Sequence, residues 1–242
     1  MDLHKPKPWH GLREFLKEYL IIVTGVLTAL AAEAVVERLH EARLSAEARE
    51  SVRAEIDLDL ASLRQYDGLR PCVDKRFSDV QGALDAADKG RAFPALNYIG
   101  RPRLPAIYHA RWDAATSGGR TSLLSTDEQR DLVRVYASVG KVVERENDLA
   151  AGFGRLRSLE GVAHPSAETL ALARQSLAEA REAEFFLRQG IRAVRFYADR
   201  IGLRGKTSRL DFAGDSRMDP SCVPVTTRRE DVPALTGTDG AP

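Results

Sequence analysis

The sequence predicts a mainly α-helical protein: an N-terminal transmembrane helix that continues into an antiparallel helical bundle, followed by an irregular C-terminal tail. The 242 residues are rich in Ala, Leu, Arg and Glu, which favour helix, and only 7% are aromatic. One uncharged apolar run lies near the N-terminus, and apolar residues then recur at helical spacing over most of the chain. We therefore divide the chain into an amphipathic leader (1–18), a transmembrane helix (19–36), a bundle domain (37–202) and a loosely ordered tail (203–242).

The membrane span is the first element. Residues 19–32 read YLIIVTGVLTALAA without a charge, and the apolar pattern resumes after Glu33. As a helix, residues 19–36 rise about 27 Å, close to the roughly 30 Å of a bilayer core. Glu33 then lies near the far interface, where its carboxylate reaches headgroup water. A lipid bilayer is thus the first expected partner.

Two alternatives to an uncleaved anchor remain open. The segment is also compatible with a buried core helix of a soluble protein. It is compatible with a cleaved signal peptide as well, because Ala29-Leu30-Ala31 forms a small-residue cleavage site. The long leader, which carries Glu14 and Glu18, and a helical pattern without a breaker favour the anchor.

Basic residues do not decide the orientation of this span. Each flank carries four of them: Lys5, Lys7, Arg13 and Lys17 before the span, and Arg38, Arg43, Arg49 and Arg53 after it. The leader is short, and a large domain can translocate regardless of its charge. We therefore expect a bacterial inner-membrane protein with its N-terminus in the cytoplasm and its domain in the periplasm.

The span also contains a pair of small residues, Gly25 and Ala29, one helical turn apart. Such pairs allow two membrane helices to approach closely. They are also frequent by chance in Ala-rich spans. The pair is a candidate face for a homo-oligomer; the other candidate partner is an unidentified membrane or envelope protein.

The soluble region reads as successive amphipathic helices. A first helix leaves the membrane with Leu44, Ala48, Val52, Ile56 and Leu60 on one face, and we expect it to end at Asp67-Gly68 before Pro71. The elements that follow are a second helix over 73–87, an irregular connection to 107, a short helix over 107–117, and two long helices. The first long helix opens with a capping box, Ser125 to Glu128, and the second follows His164-Pro165-Ser166. Four such apolar stripes are best buried by packing side by side.

The two cysteines, Cys72 and Cys222, match no zinc or redox spacing. On the residues alone they are either two unrelated buried thiols or one long-range disulfide. A disulfide would require an oxidising compartment such as the periplasm.

No catalytic, metal-binding or nucleotide-binding motif stands out, so we expect no cofactor and no metal. Charges nearly cancel, with 36 Lys and Arg against 35 Asp and Glu, which argues against a nucleic-acid partner. Ser138 and Lys141 match S-x-x-K, but the other motifs of serine acylases do not accompany them. The densest polar and aromatic cluster is a possible ligand pocket formed by Tyr108, Arg111, Trp112 and Asp113. An aromatic plug between helices is the commoner role for such residues.

The N-terminal region resembles a group of uncharacterised bacterial membrane proteins. The resemblance lies in residues 10–19, HGLREFLKEY, followed by LIIVTGVLTAL and Glu33; Thr24, Thr28 and Ala31 depart from the usual pattern. ARWDAATSGGR at 110–120 and SCVPVTT near Cys222 are also similar to that group. The resemblance implies an uncleaved anchor and a paired Cys72 and Cys222, and it implies no activity.

The leading hypothesis is a membrane-anchored, non-enzymatic helical domain for protein interaction, sensing or envelope scaffolding. The alternative is an enzyme or small-ligand-binding domain with its site near Arg111, Trp112 and Asp113.

Overall fold

The computed structural model describes residues 11–205 and 219–232, and within them the protein has four α-helices and no β-strand. The helices are α1 (Leu12–Asp88), α2 (Ala110–Ser117), α3 (Thr126–Leu156) and α4 (Ala167–Arg200). Short 3₁₀ turns occur at Arg120–Leu123, Arg157–Leu159, Pro220–Cys222 and Arg229–Asp231. The mainly helical fold is as predicted. The start of the leader (1–10) and parts of the tail (206–218 and 233–242) lie outside the described residues.

Helix α1 has 77 residues, which corresponds to about 115 Å. It begins at Leu12, within the predicted leader, and its side chains are exposed almost throughout as far as Arg43. This exposed half contains one stretch that is long and apolar enough to cross a membrane, with a mean hydropathy of 2.1 and none of it buried. Burial against the other helices begins at Ser45. One helix therefore carries both the candidate span and the first element of the bundle.

The predicted break at Asp67-Gly68 and Pro71 is wrong, because α1 continues through all three residues to Asp88. Proline removes one backbone hydrogen bond and disfavours a helix interior. Packing on both sides overrides this preference. Leu69 and Val73 are buried on either side of Pro71, so both segments are fixed against the same core. The two separate helices expected here are one.

Helix α4 runs antiparallel to α1 and pairs with it at intervals of seven residues. We call Arg174, Arg181, Arg188 and Arg195 of α4 the arginine ladder; their partners on α1 are Asp88, Gln81, Asp74 and Asp67, respectively. The Arg188–Asp74 and Arg195–Asp67 contacts both measure 2.6 Å. A seven-residue repeat keeps these groups on one side of two long helices packed lengthwise. The ladder therefore fixes the register of α1 against α4.

Helices α3 and α4 form an antiparallel hairpin. They approach closely at Gly152 of α3. A Cβ added to Gly152 would lie 2.8 Å from Ala180 Cβ of α4, so a larger residue would not fit there. The predicted capping box is confirmed: Ser125 Oγ accepts from Glu128 N, and the Glu128 side chain accepts from Ser125 N. Larger side chains separate α1 from α3, and the rings of Phe77 and Phe153 meet at 5.5 Å. The core thus lies between three long helices, α1, α3 and α4.

Part of the C-terminal tail is packed against this bundle. We call residues 219–232 the C-terminal strap. Asp219, Pro220, Ser221 and Val223 are buried, so this part of the predicted tail packs against the bundle. The strap crosses the chain at Gly100, where a Cβ would meet the Pro220 carbonyl oxygen at 2.1 Å. Only glycine allows this approach.

Candidate functional site

Among the residues that the structure describes, the three long helices bury four carboxyl groups. Glu55 and Asp59 come from α1, Glu146 from α3 and Glu184 from α4, and each is at most 7% exposed. We call these four residues the core carboxylate cluster. Burying a carboxylate is costly unless partners compensate it, so the partners of each group determine its charge state.

Both carboxylate oxygens of Glu55 accept hydrogen bonds. Its carboxylate accepts hydrogen bonds from the backbone N–H groups of Arg111 (2.8 Å) and Trp112 (3.2 Å) and from the Tyr136 hydroxyl (2.8 Å). The two amides belong to the first turn of α2, which has no side-chain cap of its own. A negative charge is favoured at this positive end of a helix. Glu55 thus caps α2 from α1 and attaches the long connection to the bundle.

Glu184 is also partnered. It accepts from the Tyr66 hydroxyl at 2.6 Å and from Arg188 Nε at 2.6 Å. Burial raises the pKa of its carboxyl group, and the bonds from Tyr66 and Arg188 act in the opposite direction. Burial likewise raises the pKa of the Tyr66 phenol. These contacts join α1 to α4, because the Tyr66 hydroxyl comes from α1 while Glu184 and Arg188 belong to α4.

Asp59 and Glu146 differ from the other two. Asp59 Oδ1 accepts from the backbone N–H of Tyr108 at 2.8 Å, but Asp59 Oδ2 and Glu146 Oε1 are buried and have no hydrogen-bond partner among the described residues. Burial raises the pKa of Asp59 to about 7. Burial and the charge of Asp59 raise the pKa of Glu146 to about 8. Both groups therefore take up protons near neutral pH.

Two members of this cluster are recognisable in the sequence, although the predicted apolar stripes left them out. Glu146 lies four residues after Val142 and three before Leu149, and Glu184 lies between Ala180 and Leu187. Both glutamates therefore occupy core positions of otherwise apolar stripes. Glu55 and Asp59 adjoin Ile56 and Leu60 at the edge of the first stripe, where sequence alone does not separate a buried from a solvated carboxylate.

The predicted ligand-pocket residues lie beside Glu55 and Asp59. The Trp112 indole stacks on the Tyr136 ring at 4.7 Å between centroids, Tyr108 is 51% exposed, and Asp113 pairs with His109 at 2.5 Å. A cavity of about 220 Å³ lies nearby, between α1, α2 and Arg120. Of the four predicted residues only Arg111 lines it. Tyr108, Arg111 and Trp112 thus donate backbone N–H groups to Glu55 and Asp59, and Trp112 also packs its ring against the core.

A disulfide and a buried arginine hold the C-terminal strap on α1. The sulfur atoms of Cys72 and Cys222 lie 1.96 Å apart, at disulfide distance, with 150 residues of sequence separation. Arg76, one turn further along α1, is 2% exposed and donates to the carbonyl oxygens of Tyr98, Ser221 and Val223. The strap is therefore fixed by one covalent bond and by a guanidinium that satisfies its backbone.

Gly25 and Ala29 lie on the exposed half of α1, and an added Cβ on Gly25 would meet nothing within 4 Å.

Within the described ranges, no group of three or more His, Cys, Asp or Glu side chains is placed to hold a metal ion. Comparison of the chain with protein-family models, curated proteins and solved structures finds no match.

Proposed function

We propose that this chain is a single-pass membrane protein that holds a helical interaction or scaffolding domain at a fixed distance from the bilayer. The observation that carries the proposal is the continuity of α1. Its exposed apolar half passes into the bundle without a loop, and only residues 37–44 separate the expected span from the first buried residue, Ser45. Eight helical residues correspond to about 12 Å. A helix without a hinge would transmit position and rotation between membrane and domain.

Membrane fractionation tests the anchor. The full-length chain should stay in the membrane pellet after an alkaline carbonate wash, whereas a variant lacking residues 1–36 should be released. The N-terminus of the mature chain should also precede the apolar stretch. A wild-type chain released by carbonate, or one that begins at Ala32 after cleavage, would remove the basis for the proposal.

The same proposal places the domain in the periplasm of a bacterial inner membrane. The disulfide distance between Cys72 and Cys222 supports this side, because such bonds persist in oxidising compartments. The test is a pair of C-terminal fusions, one to a phosphatase active only in the periplasm and one to a fluorescent protein that folds only in the cytoplasm. Activity of the phosphatase fusion alone agrees with the assignment, and fluorescence alone contradicts it.

Two copies of the anchor are proposed to associate through Gly25 and Ala29. Both positions lie on one face of an exposed helix, and small residues permit close backbone contact in lipid. Replacing Gly25 with Leu should lower energy transfer between labelled copies in bilayers, while Leu27→Ile, two residues away, serves as the control. Equal transfer from both variants would exclude this face.

A second candidate function is the binding of a small anionic ligand beside Arg111. The cavity of about 220 Å³ is lined largely by alanines and by two arginines, Arg111 and Arg120, and the Arg111 guanidinium donates to the Ser51 carbonyl oxygen. Titration with short-chain carboxylates, followed by amide chemical shifts around Ala114, tests it. Shifts that persist in an Arg111→Ala, Arg120→Ala double variant would contradict a site at this position.

A further inference from the structure

We infer that Asp59 and Glu146 form a proton-binding site inside the bundle, whose occupancy controls the packing of α1 against α3. The two groups belong to different helices, and each has a buried oxygen without a partner among the described residues. They interact electrostatically with each other. The charge of Asp59 on α1 therefore disfavours ionisation of Glu146 on α3.

The four members of the core carboxylate cluster differ in the number of hydrogen bonds that they accept. Glu55 receives three hydrogen bonds and Glu184 receives two, one of them from a guanidinium. Asp59 receives one, from the Tyr108 amide, and Oε1 of Glu146 receives none. A buried ionised carboxylate without donors or a cation is unstable, and protonation removes the charge. The core thus supplies donors to Glu55 and Glu184 but too few to stabilise Asp59 and Glu146 as ionised carboxylates.

Among the described residues, no cationic side chain donates a hydrogen bond to Asp59 or Glu146. The titratable and charged groups around it are Glu55 and Tyr66 of α1, Tyr136 of α3, Glu184 and Arg188 of α4, and His109 before α2. Arg188 is already paired with Glu184 and Asp74. His109 is exposed, and its bond to Asp113 raises its pKa. Over the described residues no side-chain set suits a metal ion either.

The location of the pair links it to the anchor. Asp59 lies on the same uninterrupted helix as the apolar stretch, 23 residues beyond residue 36, or about 35 Å along the axis. Ionisation of Asp59 and Glu146 places two negative charges between α1 and α3, where like charges repel. Raising the pH should therefore loosen α3 from α1. The anchored helix would report the pH of the compartment that the domain faces.

The raised pKa values of Asp59 and Glu146 determine how the stability of the fold changes with pH. The folded-state pKa of each group lies above its unfolded value, so the folded state binds more protons between the two values. The stability that these two groups contribute is therefore fully present below about pH 4 and is lost as the pH rises towards about 7 for Asp59 and about 8 for Glu146. For each titrating group the folding constant falls by up to about tenfold per pH unit.

The first measurement is made on the unaltered, full-length chain in lipid nanodiscs. Carbon-13 labels on the side-chain carboxyl groups of Asp and Glu report protonation as the pH is raised, and Asp59→Asn and Glu146→Gln assign the two resonances. Both groups should titrate well above the exposed carboxylates of the same chain. Two carboxylates already ionised at pH 6 would overturn the inference, whether or not either variant folds.

The second measurement is amide hydrogen exchange, corrected for the intrinsic pH dependence of exchange. Protection of α3 amides should fall as the pH rises from about 6 to about 8, by up to about tenfold per unit and group. The Asp59→Asn, Glu146→Gln double variant should lose most of this fall. The matched control is Glu47→Gln, Glu144→Gln, with exposed carboxylates on the same two helices. A double variant with the wild-type pH dependence refutes the site.

Discussion

The bond between Cys72 and Cys222 gives the sharpest stability prediction. Replacing both cysteines with serine removes a cross-link between residues 150 apart. In the chain-entropy model a loop of that length is worth about 5 kcal/mol, because the bond restricts the unfolded chain more as the loop grows. Small domains have total stabilities of about 5–15 kcal/mol. The double variant should therefore lose a third or more of its stability.

The structure adds a local consequence. Without the bond, the C-terminal strap is held by non-covalent contacts alone, among them the hydrogen bonds from the Arg76 guanidinium to the carbonyl oxygens of Ser221 and Val223 and those from the Asn97 and Tyr98 amides to Val225. If the strap detaches, this 2%-exposed arginine loses partners inside the protein. An unpaired buried charge is destabilising, so the loss should extend beyond the tail to the middle of α1. Hydrogen exchange around Arg76 should then increase.

The assay is thermal unfolding of the full-length chain, followed by circular dichroism with and without a thiol reductant. A loss of about 5 kcal/mol corresponds to a fall in Tm of roughly 10–20 °C for a domain of this size. Wild-type protein should show this fall on reduction. The Cys72→Ser, Cys222→Ser variant should start low and be insensitive to reductant. A variant whose Tm stays within about 2 °C of wild type would refute the reasoning.

Three further predictions concern single contacts, each measured by thermal unfolding. Gly100→Ala should lower the Tm by several degrees, because its Cβ would overlap the Pro220 carbonyl oxygen; no change would mean that the strap does not cross there. Ser125→Ala should cost about 1 kcal/mol by removing the cap of α3, and Ser125→Thr should restore most of it; equal losses in both would contradict a capping role. Arg195→Ala should cost about 1 kcal/mol or less through its lost contact with Asp67, more than the control Arg192→Ala; equal effects would argue against the ladder.

Much of the fold follows from local patterns in the sequence. The apolar run over 19–36 and the stripes of α3 and α4 are properties of short segments, because burial of one helix face requires only a period near 3.6. The Ser125 capping box is equally local, since both partners lie within one turn. The prediction failed at Pro71, where contacts from distant parts of the chain decide whether the helix continues.

Local sequence patterns do not predict the candidate site. The sequence shows Glu146 and Glu184 as acidic residues within apolar stripes. It does not show which groups of a neighbouring helix face them. Only the packing of α1, α3 and α4 gives Glu184 its donors and leaves Asp59 and Glu146 without sufficient ones. By itself, then, the sequence determined the helices, their caps and the candidate span, because these depend on neighbours within a few residues. The tertiary structure decided the continuity of α1, the packed strap and the charge states in the core, because these depend on groups far apart in the chain.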